Sequence, residues 1–513
     1  MKSLIKYLSI IILSSTPTFA MDSEDSFLNG FSEFVERALA TYAVPGASIA
    51  IVQNNKVLME KGFGHADIKN QIPVTKDTLF GIGSISKTFT ALLALQLQDQ
   101  GKLNLSQTVL SAFPDLWPRL DLYQSNEFKK VEIKHLLNHT SGFINGNAVW
   151  YLTEYSRESL IDLIPLSAKG ISSFTPPGRE FAYDNVMYTL AGYIAGKALQ
   201  MSYEAALEKY LLRPLNMTQT TASIKDKAGL LSSPYRLNDT NVPVPIPLRN
   251  LDSIAPSGGL NSSATDMAKF LLALVNKGKI SGQSVIKEEI FDCFTKEDIR
   301  VSQTRNPFGT DYSEYGLGFY IGKFNDQVIL GHGGNVDGFS SFFAILPKHN
   351  LGIVVLTNLD ESEVPEIVVN EFFDRFLCNN GEDRIEKYLK SNAAKSSDPI
   401  VTEEKKKFAL PDSHFAGSYN NLAIGKAEII SMGDDLQLVI NKKLFRLFRK
   451  GENEFIVRTF DLSVPNSKNC LSLTANLGVN NQVWGITISD DMKDISEMFI
   501  SDTFDFSSVR WGK

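Results

Sequence analysis

Residues 28–43 alternate apolar and charged positions at helical spacing, which predicts an amphipathic helix. After Pro45-Gly46, the run Ala47-Ser48-Ile49-Ala50-Ile51-Val52 predicts a strand. Asn54-Asn55 predicts a turn, and Lys56 to Gly62 a returning strand. The apolar run Phe89 to Leu97 stops at Gly101, as a helix does. Residues 186–198 predict another helix, with Asp184 or Asn185 as its N-cap. Residues 263–278 predict a third, opened by Ser263 and closed near Gly278. Phe339 to Leu346, a turn at Pro347 to Asn350, and Leu351 to Thr357 predict a second hairpin. A helix from Val364 to Leu377 follows. Hairpins at both ends with a helical middle predict a layered α/β domain. Its antiparallel sheet would be assembled from both ends of that stretch.

The pattern changes near residue 386. Residues 386–408 are polar and lysine-rich, contain Pro399, and read as a linker. From Phe415 onward the chain shows short alternating runs: Ala427 to Ile430, Leu436 to Ile440, Leu444 to Phe448, Glu454 to Arg458, Leu471 to Ala475 and Val483 to Ile488. Turn residues separate them, which predicts a small antiparallel barrel or sandwich. The expected division is 25–385, a linker at 386–408, and a C-terminal all-β module at 409–513.

Candidate chemistry sits where these elements meet. Ser84-Ile85-Ser86-Lys87 opens the Phe89–Leu97 helix, and residues three apart on a helix share a face. A hydroxyl in a first helical turn sits among free N–H groups. It becomes a nucleophile when a nearby base takes its proton, and an amine one turn away is such a base. Tyr183-Asp184-Asn185 lies at a loop-to-helix junction, and His332-Gly333-Gly334 between strand-like runs.

With these three motifs in this order, the chain resembles the serine β-lactamase and penicillin-binding protein superfamily. The resemblance is nearest the branch of class C β-lactamases, D-aminopeptidases, DD-carboxypeptidases and β-lactamase-like esterases, and covers about residues 25 to 380. His135-Leu136-Leu137-Asn138-His139-Thr140-Ser141-Gly142 and Ser257-Gly258-Gly259-Leu260 are similar to structural segments of that group. It implies a β-lactamase/transpeptidase-like antiparallel sheet flanked by helices, with a helical subdomain and the active site between them. It also implies Ser84 as nucleophile, with Lys87 and Tyr183 sharing the work of base. Asn185 would hold Lys87 and a substrate amide together. The N–H groups of Ser84 and Asn335 would form the oxyanion hole, and Gly333 and Gly334 would let substrate lie against the strand edge. Gly417-Ser418-Tyr419-Asn420 resembles the start of a lipocalin-like module appended to some members, where a stabilising or gating cover is expected.

His332 departs from the pattern. Lys-Thr-Gly or Lys-Ser-Gly usually stands there, and neither occurs in this chain. A histidine is a conditional receptor for a substrate carboxylate, charged only at lower pH. Efficient β-lactam hydrolysis is therefore not expected, and a lysine at 332 should improve recognition of carboxylate-bearing β-lactams. The expected substrate is a D-amino-acid or cell-wall-like peptide. A small acyl ester is the alternative, and a non-catalytic binder of the same fold is a third reading.

Other chemistry is weaker. His135 and His139 have a zinc-compatible spacing, but no accompanying glutamate or third ligand is evident, so they read as structural. There is no G-x-S-x-G elbow or phosphate-binding glycine loop, and no metal or cofactor is expected. A net charge of −7 argues against nucleic acid as a partner. Lys2 and Lys6, the apolar Leu8 to Leu13, and Thr18-Phe19-Ala20 predict a cleavable export signal at 1–20. The mature chain is thus expected in the periplasm or outside the cell, with no membrane span. Of the three cysteines, Cys293 and Cys378 form the only pair within the proposed catalytic domain. The odd count with Cys470 leaves one thiol free, and buried, inert thiols are expected.

Overall fold

The structure, a computed structural model, describes residues 26–501 apart from 118–127, 144–149, 151–154, 168–174, 306–309, 379–382, 396–409, 460–470, 478–482, 490–495 and several shorter breaks. The expected export signal, Cys470 and most of the expected linker lie outside the described residues.

Helix α1 (Phe31–Thr41) leads into the hairpin β1 (Gly46–Gln53) and β2 (Lys56–Asp67), extended by β3 (Ile72–Pro73). The late strands are β4 (Ile299–Arg305), β5 (Thr310–Tyr315), β6 (Tyr320–Phe324), β7 (Gln327–Val336), β8 (Phe339–Leu346) and β9 (Leu351–Thr357). They form one nine-stranded sheet in the order β4-β5-β6-β7-β8-β9-β1-β2-β3. The join is between chain ends: β1 pairs antiparallel with β9, Ala47 opposite Thr357 and Ile51 opposite Ile353.

Both faces of the sheet are covered, so its central strands β1, β8 and β9 are buried at almost every position and mainly apolar rather than alternately exposed. Side chains point to the two faces in turn. Ile49, Ile51, Ile353 and Val355 join α1 and α6 (Val364–Phe376) in one core. Ala50, Val52, Val354 and Leu356 join the other core, with α2 (Ser86–Asp99), α4 (Asn185–Ala198) and α5 (Ala264–Val275). Helix α2 is buried on all sides from Ser86 to Leu97, its polar side chains Ser86, Lys87, Thr88 and Thr90 included. Phe89 stacks on Phe270 of α5 at 4.1 Å, worth about 1 kcal/mol beyond the area buried. Gly101, at φ 67, ends the helix as the sequence predicts. Helix α3 (Arg157–Ser167) lies in the middle region.

Two expectations need correction. The beginning of the expected linker is helical: α7 (Arg384–Lys395) buries Ile385 and Tyr388 in the α1–α6 core. Cys293 and Cys378 are exposed free thiols, not buried ones and not a disulfide.

The C-terminal strands are β10 (Gly417–Asn421), β11 (Gly425–Met432), β12 (Asp435–Ile440), β13 (Lys443–Arg449), β14 (Glu454–Thr459), β15 (Leu471–Leu477), β16 (Val483–Ser489) and β17 (Ser496–Ser501). Each pairs with the next, and β17 pairs back onto β10, so this sheet closes on itself. The alternating runs read from the sequence are six of these eight strands; β10 and β17 are additions. No described helix is long and apolar enough to cross a membrane.

Candidate active site

The site lies where the start of α2, the start of α4 and the end of β7 meet. Ser84 occupies a single 3-10 turn, Gly83–Ile85, and the α-helix proper begins at Ser86. The hydroxyl is thus one turn ahead of the position expected. The Ser86 hydroxyl donates to the Gly83 carbonyl at 2.7 Å and accepts from the Leu260 N–H at 3.1 Å. The second serine of the motif therefore braces the turn that carries the first.

Lys87 is fully buried, and its Nζ reaches three oxygens. They are Asn185 Oδ1 at 2.6 Å, the Ser257 carbonyl at 2.7 Å and Ser84 Oγ at 3.0 Å. Burial holds the ammonium well below the usual lysine range, and the nearby Asp184 carboxylate only partly opposes this. A neutral amine has two N–H donors and one lone pair. The two amide-type oxygens take the donors, which leaves the lone pair for the Ser84 hydroxyl proton.

Tyr183 approaches through its ring face, with Lys87 Nζ 4.6 Å from the centroid. Asp184 caps α4, accepting from the Val186 N–H at 2.7 Å and the Met187 N–H at 3.1 Å. That cap sets Asn185 at the first helical position, turned toward Lys87. His139 stacks on Tyr183 at 4.2 Å and 29°. Its Nδ1 accepts from the Asp184 N–H at 3.0 Å, so the ring is fixed against the Tyr183-Asp184-Asn185 junction. His135 is used elsewhere: the Glu132 N–H donates to its Nδ1 at 3.1 Å in a helix-capping box. Each histidine thus accepts from a main-chain N–H, and among the described residues no group of three or more acidic, histidine or cysteine side chains is gathered as metal ligands would be.

Strand β7 meets the nucleophile turn at close quarters. A Cβ on Gly334 would lie 2.1 Å from the Ile82 carbonyl, and one on Gly83 would lie 2.7 Å from the Asn335 nitrogen. The Ser341 hydroxyl closes the junction by donating to the Ile82 carbonyl at 2.9 Å. This brings the Asn335 peptide beside the Ser84 turn. Strand β6 pairs with β7 only as far as Gly331, so among the described residues no strand pairs with the His332–Val336 edge on that side.

His332 behaves otherwise than expected. It is 3% exposed, and its two nitrogens face Tyr315 Oη at 3.3 Å and the Gly333 carbonyl at 2.6 Å. Burial first, and then the Lys87 charge, push the imidazole down to about 3. It is a neutral, internally bonded ring and offers no cation to a substrate carboxylate.

Spacing brought out Ser84, Lys87, Tyr183, Asn185 and the glycine pair. It missed the Ser257 carbonyl, the Ser341 clamp and the stacking role of His139. Ser257 and His139 lie in segments that stand out in the sequence, but a main-chain acceptor and a stacked ring leave no spacing signature.

Residues 31–372 match the Beta-lactamase family model. Protein flp of Staphylococcus aureus strain COL is 30% identical over 342 residues, which cover 65% of this chain and 64% of that protein. The chain thus spans less than two thirds of that relative's length. The unguisins hydrolase ungD' of Aspergillus campestris is 26% identical over 418 residues, covering 78% of this chain and 77% of its own. Among solved structures, the octameric penicillin-binding protein homologue from Pyrococcus abyssi matches with a TM-score of 0.61 at 23% identity, over 92% of this chain and 99% of that one. A β-lactamase/D-alanine carboxypeptidase from Pseudomonas syringae matches at 0.55 and 22%, over 69% and 99%. The family match, with the hydroxyl, amine and phenol gathered at one place in this fold, establishes that the chain belongs to the β-lactamase family.

Proposed function

We propose that the protein is a serine hydrolase that works through an acyl-enzyme, with Ser84 as nucleophile and Lys87 as the base that deprotonates it. The observation that carries this is the buried Lys87 amine 3.0 Å from Ser84 Oγ, its other two contacts spent on Asn185 and Ser257. Ser84 Oγ attacks the substrate carbonyl carbon while its proton passes to Lys87 Nζ. The oxyanion is held between the N–H groups of Ser84 and Asn335. The leaving amine or alcohol takes a proton from Lys87 or Tyr183, and water then releases the acyl group.

For substrate, the reading is an amide in a peptide of the D-amino-acid or cell-wall-like class. The unpartnered His332–Val336 edge favours an extended peptide, which pairs there as an added strand with Gly333 and Gly334 leaving room. The named activity of the unguisins hydrolase relative is compatible with it. Neutral His332 favours a substrate without a carboxylate at that point, which also suits the second reading, a small acyl ester. The C-terminal closed sheet fits a lipocalin-like cover. The first twenty residues support export to the periplasm or beyond, testable by sequencing the mature N-terminus.

A fluorophosphonate is expected to label the wild type and not Ser84→Ala. A folded wild type that stays unlabelled and turns nothing over would leave the non-catalytic reading standing. Parallel rates on D-alanyl anilides and short-chain nitrophenyl esters separate the two enzymatic readings. A much larger specificity constant for the esters rejects the peptidase.

A further inference from the structure

The C-terminal closed sheet has apolar neighbours outside itself. Its core, including Phe415, Leu438 and Leu473, forms one cluster with Leu160 of α3 and with Ile254. Ile254 is 2% exposed and ends the 3-10 turn Asp252–Ile254. Partly buried Leu251 packs against the same cluster.

That turn leads directly to the Lys87 cradle. The Ile254 carbonyl accepts from the Ser257 N–H at 2.9 Å, the Ser257 hydroxyl at 3.1 Å and the Gly258 N–H at 2.9 Å. The Ser257 carbonyl in turn accepts from Lys87 Nζ at 2.7 Å. On its polar side the turn is gripped by α3. Arg157 Nε donates to the Ser253 carbonyl at 3.1 Å, and its other nitrogen bonds the Asp252 carbonyl. Arg157 is itself held by Glu204 at 2.6 Å. The segment that orients the amine is thus held by a guanidinium on one side and by the C-terminal sheet on the other.

We propose that the C-terminal sheet is a positioning element for Lys87: by covering Ile254 it fixes the Ser257 carbonyl and keeps water out of the amine's cradle. This rests on the acyl-enzyme reading and gives the module a part in that same site. A loosened turn admits water beside Lys87, which favours the ammonium and disfavours the base. The groups facing Lys87 are Ser84 from its own end of the chain, Tyr183, Asp184, Asn185 and Tyr188 from α4 and its approach, His139, and His332 from β7. Asp184 is the acidic one. Burial holds both histidines below their usual range, so neither titrates with the amine near neutral pH.

The test is the pH dependence of fluorophosphonate labelling of Ser84 in the full-length chain. Ile254→Ala and Phe415→Ala, members of that shared apolar cluster from the two parts of the chain, are expected to move the acid limb upward by about one unit, which slows labelling about tenfold below the limb. Ile254→Val, which removes one methylene and keeps the contact, should shift it less in the same direction and carries the test if the alanine variants do not fold. Folded variants with lowered Tm but a wild-type limb and rate would overturn the proposal and leave the module a stabilising addition. A wild type that is not labelled at all removes the acyl-enzyme reading first, and this inference with it.

Discussion

At the scale of the residue, the site is built from groups held away from their ordinary ionisation. Burial holds Lys87 well below its ordinary range, and it lowers His332 as well. The second case has a direct consequence for stability. The His332 imidazole is near 3 when folded and near its ordinary 6.5 when unfolded. Between those values the unfolded chain binds a proton that the folded chain does not. Stability from this group is therefore present above pH 6.5 and lost as pH falls toward 3, at about 1.4 kcal/mol per unit. His139 is shifted in the same direction and adds to the trend. His332→Asn is expected to have a flatter Tm profile below pH 6 than the wild type. Parallel profiles would show that the ring is not held neutral. The hydroxyl and amine were legible in the sequence because they stand three residues apart at the opening of an apolar helix. The state of His332 was not, because Tyr315 and Tyr320, which crowd it, come from strands that no sequence pattern had brought beside it.

At the scale of the element, the contact between β7 and the Ser84 turn matters most. Gly334 has no room for a side chain, because the Ile82 carbonyl occupies that space. Gly334→Ala must push β7 away from the turn and with it the Asn335 N–H. Loss of one oxyanion donor costs about 3 kcal/mol of barrier, so kcat/KM should fall about a hundredfold. A variant within twofold of wild type would mean that Asn335 does not serve the oxyanion. Most elements were legible: the two hairpins, α2, α4, α5 and α6 follow from apolar spacing and caps. Helix α7 was not, because its composition is that of a linker. Two apolar side chains, Ile385 and Tyr388, are enough to dock it, with Tyr388 edge-on to Tyr42 at 6.0 Å. Tertiary contact overrides composition there.

At the scale of the whole molecule, the two parts of the chain could be divided by the change of pattern near residue 386, but their contact could not. Its buried members from the first part are Leu160 and Ile254, with Trp150, Leu163 and Leu251 packed against them, and no periodicity marks these residues as facing a separate sheet. An antiparallel sheet built from both ends was legible from its two hairpins, whereas β3, β4, β5 and β6 were not. Its long-range pairing predicts slow folding, since loop closure must precede the contacts that reward it. Refolding is expected on the scale of seconds, and Val355→Ala in β9, which removes core contacts to α1 and α6, should slow it or speed unfolding. Stopped-flow fluorescence measures both limbs, and unchanged rates on both would mean that β9 packing does not limit the sheet.

The pairing of β1 with β9 also governs what a half-made chain can do. The ribosome releases Ser84 and Lys87 early, while Asn335 and the strand that bears it emerge roughly 250 residues later, tens of seconds at ordinary synthesis rates. Until then the first hairpin waits with an open edge, and the reactive hydroxyl has no second donor beside it. A product truncated before β7 would carry the Ser84 turn without the strand that closes against it, and is expected to resist labelling by a fluorophosphonate.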